Sequence, residues 1–228
     1  MKKFAAVAAS IAIAGVGLAA PAQAYDRELY SYAAGHMIDA KDVPAPLSVK
    51  KGGDFGAFPS GKTNFLCGDA DKQVSYPGGN HQFNMGYDGR KGGMGVTVNV
   101  TQYASAQKAI KAFNDLKKGL KECEGPASGQ QTFDDGSTDS WSRLNTTGNV
   151  PLVTVAGVQS VFLNQNYEDV TTGEGAGTYS SDTYNVYTLV NDVIISTFHY
   201  SGSELNMSTK ERRAVNQVAF NAVTRWVD

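Results

Sequence analysis

The chain has 228 residues, with 20 basic against 22 acidic side chains, a formal net charge of −2, two cysteines and three histidines. That length suits one domain with a sizeable core. The slightly acidic balance argues against nucleic acid as the main partner.

Residues 1–24 read as a secretory signal peptide. Lys2 and Lys3 form a basic start, an Ala/Val/Ile/Leu run follows, and Ala22-Gln23-Ala24 is an A-x-A cleavage triplet. A membrane anchor is the competing reading. It is disfavoured because Ser10 and Pro21 interrupt a run that would need about 20 apolar residues to span. No later segment is apolar enough to span a bilayer, so a secreted, extracytoplasmic chain is expected from Tyr25 onward. Cleavage lowers the 20 basic residues to 18, against 22 acidic.

Residues 25–60 are broken by Pro44, Pro46, Pro59 and Gly52-Gly53 and are expected to be irregular. Within them Leu29, Tyr30, Met37 and Ile38 fit a short helix packed on the domain. A single α+β domain is expected over 61–228. Gly56–Thr63, GAFPSGKT, matches the phosphate-loop formula G-x-x-x-x-G-K-[ST]. That loop needs a buried strand before it and a helix after it. LSVKKGGDF precedes it and NFLCGDADK follows it, and neither fits. The stretch is therefore read as a turn leading into a short strand that carries Cys67, and no nucleotide is expected.

Gly95–Thr101, GVTVNVT, alternates Val96, Val98 and Val100 with polar residues, as a half-buried strand does. The period then becomes helical. Ala106, Ala109, Ile110, Phe113, Leu116, Leu120 and Cys123 recur at three and four, with Ser105 as N-cap and Gly125-Pro126 as the stop. Lys108, Lys111, Lys117, Lys118 and Lys121 face outward. A basic face of this kind attracts anionic lipid or glycan, but interspersed Asp115 and Glu122 favour an ordinary solvated face.

Past Pro126 the chain is rich in Gly, Ser, Thr and Tyr, and residues 137–144, 155–167, 178–190 and 192–200 read as strands. Asn191-Asp192 makes a two-residue hairpin turn. That register sets Val190 opposite Val193, Thr188 opposite Ile195, Val186 opposite Thr197 and Tyr184 opposite His199. The last element is a helix. Ser208 and Glu211 form a capping box, and Val215, Val218, Ala219, Ala222, Val223 and Trp226 make its apolar stripe. Runs of strands without intervening helices predict an α+β fold, a mainly antiparallel sheet with two long amphipathic helices covering one face.

Outside the cytoplasm, Cys67 and Cys123 read as one disulfide, worth ~4 kcal/mol for a loop of about 55 residues. Free thiols or half a metal site are the alternatives, and three histidines make the metal case weak. The acidic turns at 68–71 and 134–139 do not fit a calcium loop. No G-x-S-x-G elbow is present. His199, on a strand, is more simply a hydrogen-bonded structural histidine than a catalytic base. No catalytic residue, metal or cofactor is assigned.

The aromatic residues remain. Trp141, Tyr179, Tyr184 and Tyr187, with His199, are candidate ligand contacts, because Tyr and Trp are amphipathic and suit surfaces that meet ligands. At any single position a core role is the simpler explanation.

The order of these elements resembles a known family. A strand leads into YASAQKAIKAFNDLKKGLKECEG, and the hairpin NVYTLVNDVIISTFHYSG and the helix RRAVNQVAFNAVTRW follow. This resembles the extracellular sensor domain of PknH-type receptor Ser/Thr kinases of actinobacteria and its stand-alone exported relatives, over roughly residues 60–228. The resemblance implies an antiparallel sheet flanked by helices, a cleft for an unknown ligand, no catalytic residues, and a disulfide mapping onto Cys67 and Cys123. The family's second disulfide has no cysteines here. No kinase segment is read in this sequence either, so ligand binding carries over rather than signalling. The expectation is a secreted, non-catalytic domain binding a small molecule, glycan, lipid head group or envelope protein. The alternative is a secreted hydrolase whose groups converge only in the fold.

Overall fold

The computed structural model describes residues 27–47, 49–50, 52–59, 64–69, 72–89, 95–150, 158–173, 176–201 and 207–227. The signal peptide, with Ala22 and Ala24, lies outside the described residues, as do positions 60–63 of the phosphate-loop match. No described helix is long and apolar enough to cross a membrane.

The elements in chain order are α1 (Arg27–His36), a short 3-10 turn (Ala40–Asp42), β1 (Asp54–Pro59), β2 (Asn64–Asp69), β3 (Lys72–Tyr76), β4 (His81–Tyr87) and β5 (Val96–Gln102). Then come α2 (Ala106–Cys123), β6 (Gly125–Thr132), β7 (Thr138–Asn149), β8 (Gln159–Thr171), β9 (Gly177–Val190), β10 (Val193–Tyr200) and α3 (Thr209–Val227). Eight strands form one sheet in the order β1-β4-β5-β10-β9-β8-β7-β6, and β2 pairs with β3 in a separate hairpin. Every pairing is antiparallel. The expected α+β class is what the structure shows.

The β9–β10 hairpin has the expected register, Val190 opposite Val193 through to Tyr184 opposite His199. Asn191 turns the chain at φ 48°, a left-handed conformation that asparagine tolerates better than most residues. Ser105 caps α2 by accepting the Lys108 N–H at 3.3 Å. At the start of α3, Glu211 accepts the Ser208 N–H at 2.7 Å and Ser208 accepts the Glu211 N–H at 3.2 Å, which completes the capping box.

The placement of the helices differs from expectation. They cover opposite faces of the sheet rather than one. Val186, Val193, Ile195, Val96, Val98 and Val100 pack with Val215, Val218, Ala222 and Trp226 of α3, and with Ala33, Met37 and Ile38 from the α1 region. Tyr187, Leu189, Ile194, Val161 and Leu163 pack with Phe113, Leu116 and Leu120 of α2. Successive strand residues point to opposite faces, so β9 and β10 are buried on both sides at their joined ends. The near-continuous apolar run of LVNDVII reflects this double burial. Ile110 was expected inward on α2 but is exposed, because the buried stripe runs through Ala109, Ala112, Phe113 and Leu116 instead.

Cys67 and Cys123 are disulfide-bonded, with Cα atoms 5.9 Å apart. The bond ties the β2–β3 hairpin to the end of α2. Gly119 makes room for the hairpin, since a Cβ there would lie 2.8 Å from Leu66 Cδ1 and 2.9 Å from Val74 Cγ1.

Gly56–Pro59 is not a turn. It is part of β1, an edge strand of an antiparallel sheet. The chain after Thr63 continues as β2, not as the helix a phosphate loop opens. Residues 25–60, read as irregular, supply α1 and β1 and are anchored by tertiary contacts. Arg225 donates to Met37 O and Asp39 Oδ2, both at 3.0 Å, and approaches Asp42 at 2.7 Å. Tyr87 donates its hydroxyl to Ile38 O at 2.8 Å.

Candidate ligand-binding surface

Strands β7, β8 and β9 outrun their neighbours. β10 ends where Tyr200 meets Thr183, while β9 starts six residues earlier at Gly177. Residues 177–182, with the matching ends of β8, β7 and β6, therefore form a four-stranded outer lobe. Ser181 and Asp182 are still buried, but from Ser180 outward along β9 burial gives way to intermediate and exposed positions on both faces, and β6 is exposed or intermediate throughout.

The five aromatic and histidine candidates do not converge on one site. Tyr187 lies in the α2 core, 3 % exposed, where its hydroxyl accepts from Asn185 Nδ2 at 2.8 Å. Burial pushes its phenol pKa well up. Tyr184 and His199 are cross-strand neighbours on the opposite face, both buried under α3. Tyr184 packs against Phe162 with centroids 5.4 Å apart. His199 Nδ1 lies 3.0 Å from Gly95 O. Burial lowers the imidazole pKa, opposed by that backbone bond and by Glu211 and Asp182. Beside them Asp182, fully buried, accepts from Met207 N and faces Arg212 Nη2 at 3.5 Å. This cluster joins α3 to the sheet.

Trp141 and Tyr179 do come together. In register, Trp141 lies opposite Asp169, and Asp169 lies opposite Tyr179, so the three side chains share a face in one row across β7, β8 and β9. At about 4.8 Å per strand, the two aromatic Cα atoms stand roughly 10 Å apart across the central carboxyl. The face is the one that α2 covers farther along. The next row toward the core holds Arg143 and Tyr167, and the next outward holds Asp139 and Thr171.

The row is held from below and from the sides. Trp141 pairs with Gly129 of β6, and a Cβ at Gly129 would meet the indole Cε2, Cζ2 and Nε1 at 2.7 Å. The indole thus lies down across the glycine and is half-buried. The Arg143 guanidinium sits 5.7 Å from the indole centroid. Thr171 donates to Asp139 Oδ1 at 3.0 Å. Burial, and then the hydrogen-bonded Asp139 carboxyl beside it, raise the pKa of Asp169. Asp169 Oδ1 has no hydrogen-bond partner among the described residues. Tyr179 is 46 % exposed. Asp139, Arg143 and Asp169 were missed by sequence reasoning. The usable signal was the alternation D-x-W-x-R, which places all three on one face of β7.

The opposite face of the lobe carries an open groove of about 650 Å³, lined by Pro126, Ser128, Ser142, Leu144, Asn166 and Glu168. Among the described residues no three His, Cys, Asp or Glu side chains are arranged to hold a metal ion.

No protein-family model matches the chain, and no curated protein does. A solved structure to which it is similar is the extracellular domain of PknH from Mycobacterium tuberculosis. The identity is 12 %, over 84 % of this chain and 94 % of that one, with a TM-score of 0.42. The resemblance read in the sequence is thus met as a weak likeness of fold.

Proposed function

We propose that this protein is a secreted, non-catalytic binding domain of the cell envelope, and that its ligand meets the outer lobe of the sheet. The observation that carries this reading is the Trp141–Asp169–Tyr179 row. The half-buried Trp141 ring and the exposed Tyr179 ring flank Asp169, whose Oδ1 is buried without a partner among the described residues, on a platform of paired strands. Strands fix side-chain directions, so the groups are preorganised without an ordering cost on binding. Small molecules, glycans, lipid head groups and envelope proteins are the ligand classes in view.

The chain has two tryptophans. Trp226 is buried at the end of α3, so in a Trp226→Phe variant the emission reports on Trp141 alone. We expect an envelope fraction to shift that emission, and Tyr179→Ala to weaken the response. A full set of polysaccharide, lipid and peptide fractions without effect would count against the reading.

One observation favours a hydrolase instead. Asp139 and Asp169 are hydrogen-bonded carboxyls, and Asp169 has a raised pKa, as in paired-acid catalysis. Turnover of chromogenic glycosides or peptides, abolished by Asp169→Asn, would establish it.

A further inference from the structure

We infer that β6, one edge of the sheet, is a docking strand for a second copy of this chain, which pairs with it antiparallel about a twofold axis. The inference stands apart from the ligand reading above.

The two edges of the large sheet, β1 and β6, differ. An edge strand presents unpaired N–H and C=O groups, and proteins usually blunt it with charge, proline, a bulge or short length. β1 has six residues, with Asp54 at one end and Pro59 at the other. β6 has eight, GPASGQQT, and no charged side chain. Its register with β7 runs without a bulge, and among the described residues none pairs with its outer side.

The ladder shows which groups are open. Phe133 N donates to Ser137 O, so that pair is hydrogen-bonded and the pair before it, Thr132–Thr138, is not. Thr138 O accepts instead from Thr172 N, beyond the end of β8. Alternation then turns the N–H and C=O groups of Thr132, Gln130 and Ser128 outward. Pro126 falls at the same kind of position, where its missing N–H costs no bond to β7.

The strand's own sequence is the complement that fits. Setting Gln130 opposite Gln130 of the second copy uses the three open positions of each chain, for about six hydrogen bonds. Ser128 then faces Thr132, and Ala127 meets Phe133 at a non-hydrogen-bonded position, where side chains come closest. Phe133 is 43 % exposed in the single chain, so the pairing covers a ring that the fold leaves bare. No like charges meet along the seam, because β6 has none. Moving the axis to Gly129 would bring the Asp134 turn against Glu124 of the other copy, which disfavours that register. A foreign strand would find the same backbone groups, but no charged group on β6 to select its side chains. The twofold axis is perpendicular to the sheet, so the Trp141–Asp169–Tyr179 rows of the two copies share one continuous face.

The test is sedimentation of the secreted chain from about 1 μM to about 1 mM, where a small interface should take it from monomer to dimer. Gln130→Pro removes an outward N–H and leaves the bonds to β7 in place. It should weaken dimerisation about tenfold or more, and Ser128→Lys, which charges the edge, should do the same. Melting checks that both variants keep the fold. Gln130→Cys faces itself across the axis with Cα atoms about 5.5 Å apart, within disulfide reach. Mild oxidation should therefore convert it to a covalent dimer, and should leave Gln131→Cys, which faces Gly129, largely uncoupled. The synthetic peptide PASGQQTF, the sequence of positions 126–133, should compete with dimerisation. A chain that stays monomeric to about 1 mM overturns the inference. So does a dimer that survives both edge variants. An unrelated octapeptide of alternating valine and threonine that competes equally well overturns the choice of a second copy as occupant.

Discussion

The inner half of the sheet and its outer lobe are built from the same strands by opposite rules. Where β9 joins β10, both faces are covered, by α3 on one side and α2 on the other, and the sequence runs Val186, Tyr187, Thr188, Leu189, Val190 almost without a solvent-facing position. Where the same β9 begins, at Gly177–Ser180, every position is exposed or intermediate. One strand thus passes from doubly buried to open on both sides. The covered half supplies the stability, and the open half rides on it as a rigid extension. Charged and aromatic groups can be exposed there at little cost to folding. Polar groups in the covered half must find partners, as Asp182 does with Met207 N and Arg212.

Four measurements test this contrast, from the largest effect to the smallest. Phe113→Ala empties a fully buried position in the α2 core and should cost about 3–5 kcal/mol in urea unfolding. Leu144→Ala, at 49 % exposure on the lobe, should stay within about 0.5 kcal/mol. Equal losses at the two positions would dissolve the distinction between the regions.

Replacing Cys67 and Cys123 together by Ser removes the tie between the β2–β3 hairpin and α2. We expect a loss of about 2–4 kcal/mol, with the Trp141 environment unchanged in near-ultraviolet spectra. A changed Trp141 signal would show that the lobe depends on the disulfide. A route exists, because Asn145 at the lobe's base donates to Cys123 O at 2.8 Å and accepts from Gln165 at 3.1 Å.

Asp182→Ala leaves the Met207 N–H without its acceptor, and should destabilise by about 1–3 kcal/mol. Faster amide exchange should then appear at the start of α3 and not at β6–β7.

The smallest effect is a pH dependence. Burial lowers the pKa of His199 in the folded state, so the unfolded chain takes up its proton first as pH falls. Stability is then complete above the ordinary histidine range, near about pH 6.5, and declines as pH drops through that range toward the lowered folded value. His199→Phe should flatten melting temperature between neutral and mildly acidic pH. An unchanged slope would place the titrating group elsewhere.

Much of the fold was legible in the sequence. Helices α2 and α3, their caps and the β9–β10 register were readable because each depends on a period or turn within one segment. β4 was missed, although Phe83, Met85 and Tyr87 alternate with Gln82, Asn84 and Gly86, because the surrounding glycines obscured the pattern. β6, Gly125–Thr132, gave no signal, because an edge strand with no buried face needs no apolar alternation. The candidate site was half legible. Aromatic residues in strands drew attention to Trp141 and Tyr179, and equally to Tyr184 and Tyr187, which are core. A strand's pattern says that two faces exist but not what lies over each.

The sequence by itself determined the helices, the tight hairpin, the one possible cysteine pair and the α+β class, because short-range geometry and a count of two cysteines suffice for those. The tertiary structure alone decided that α2 and α3 lie on opposite faces, and that Gly56–Pro59 is an edge strand. It also decided that Trp141, Asp169 and Tyr179 stand in one row. Each of these depends on pairing between residues far apart in the chain, where register and handedness, rather than local preference, choose the neighbours.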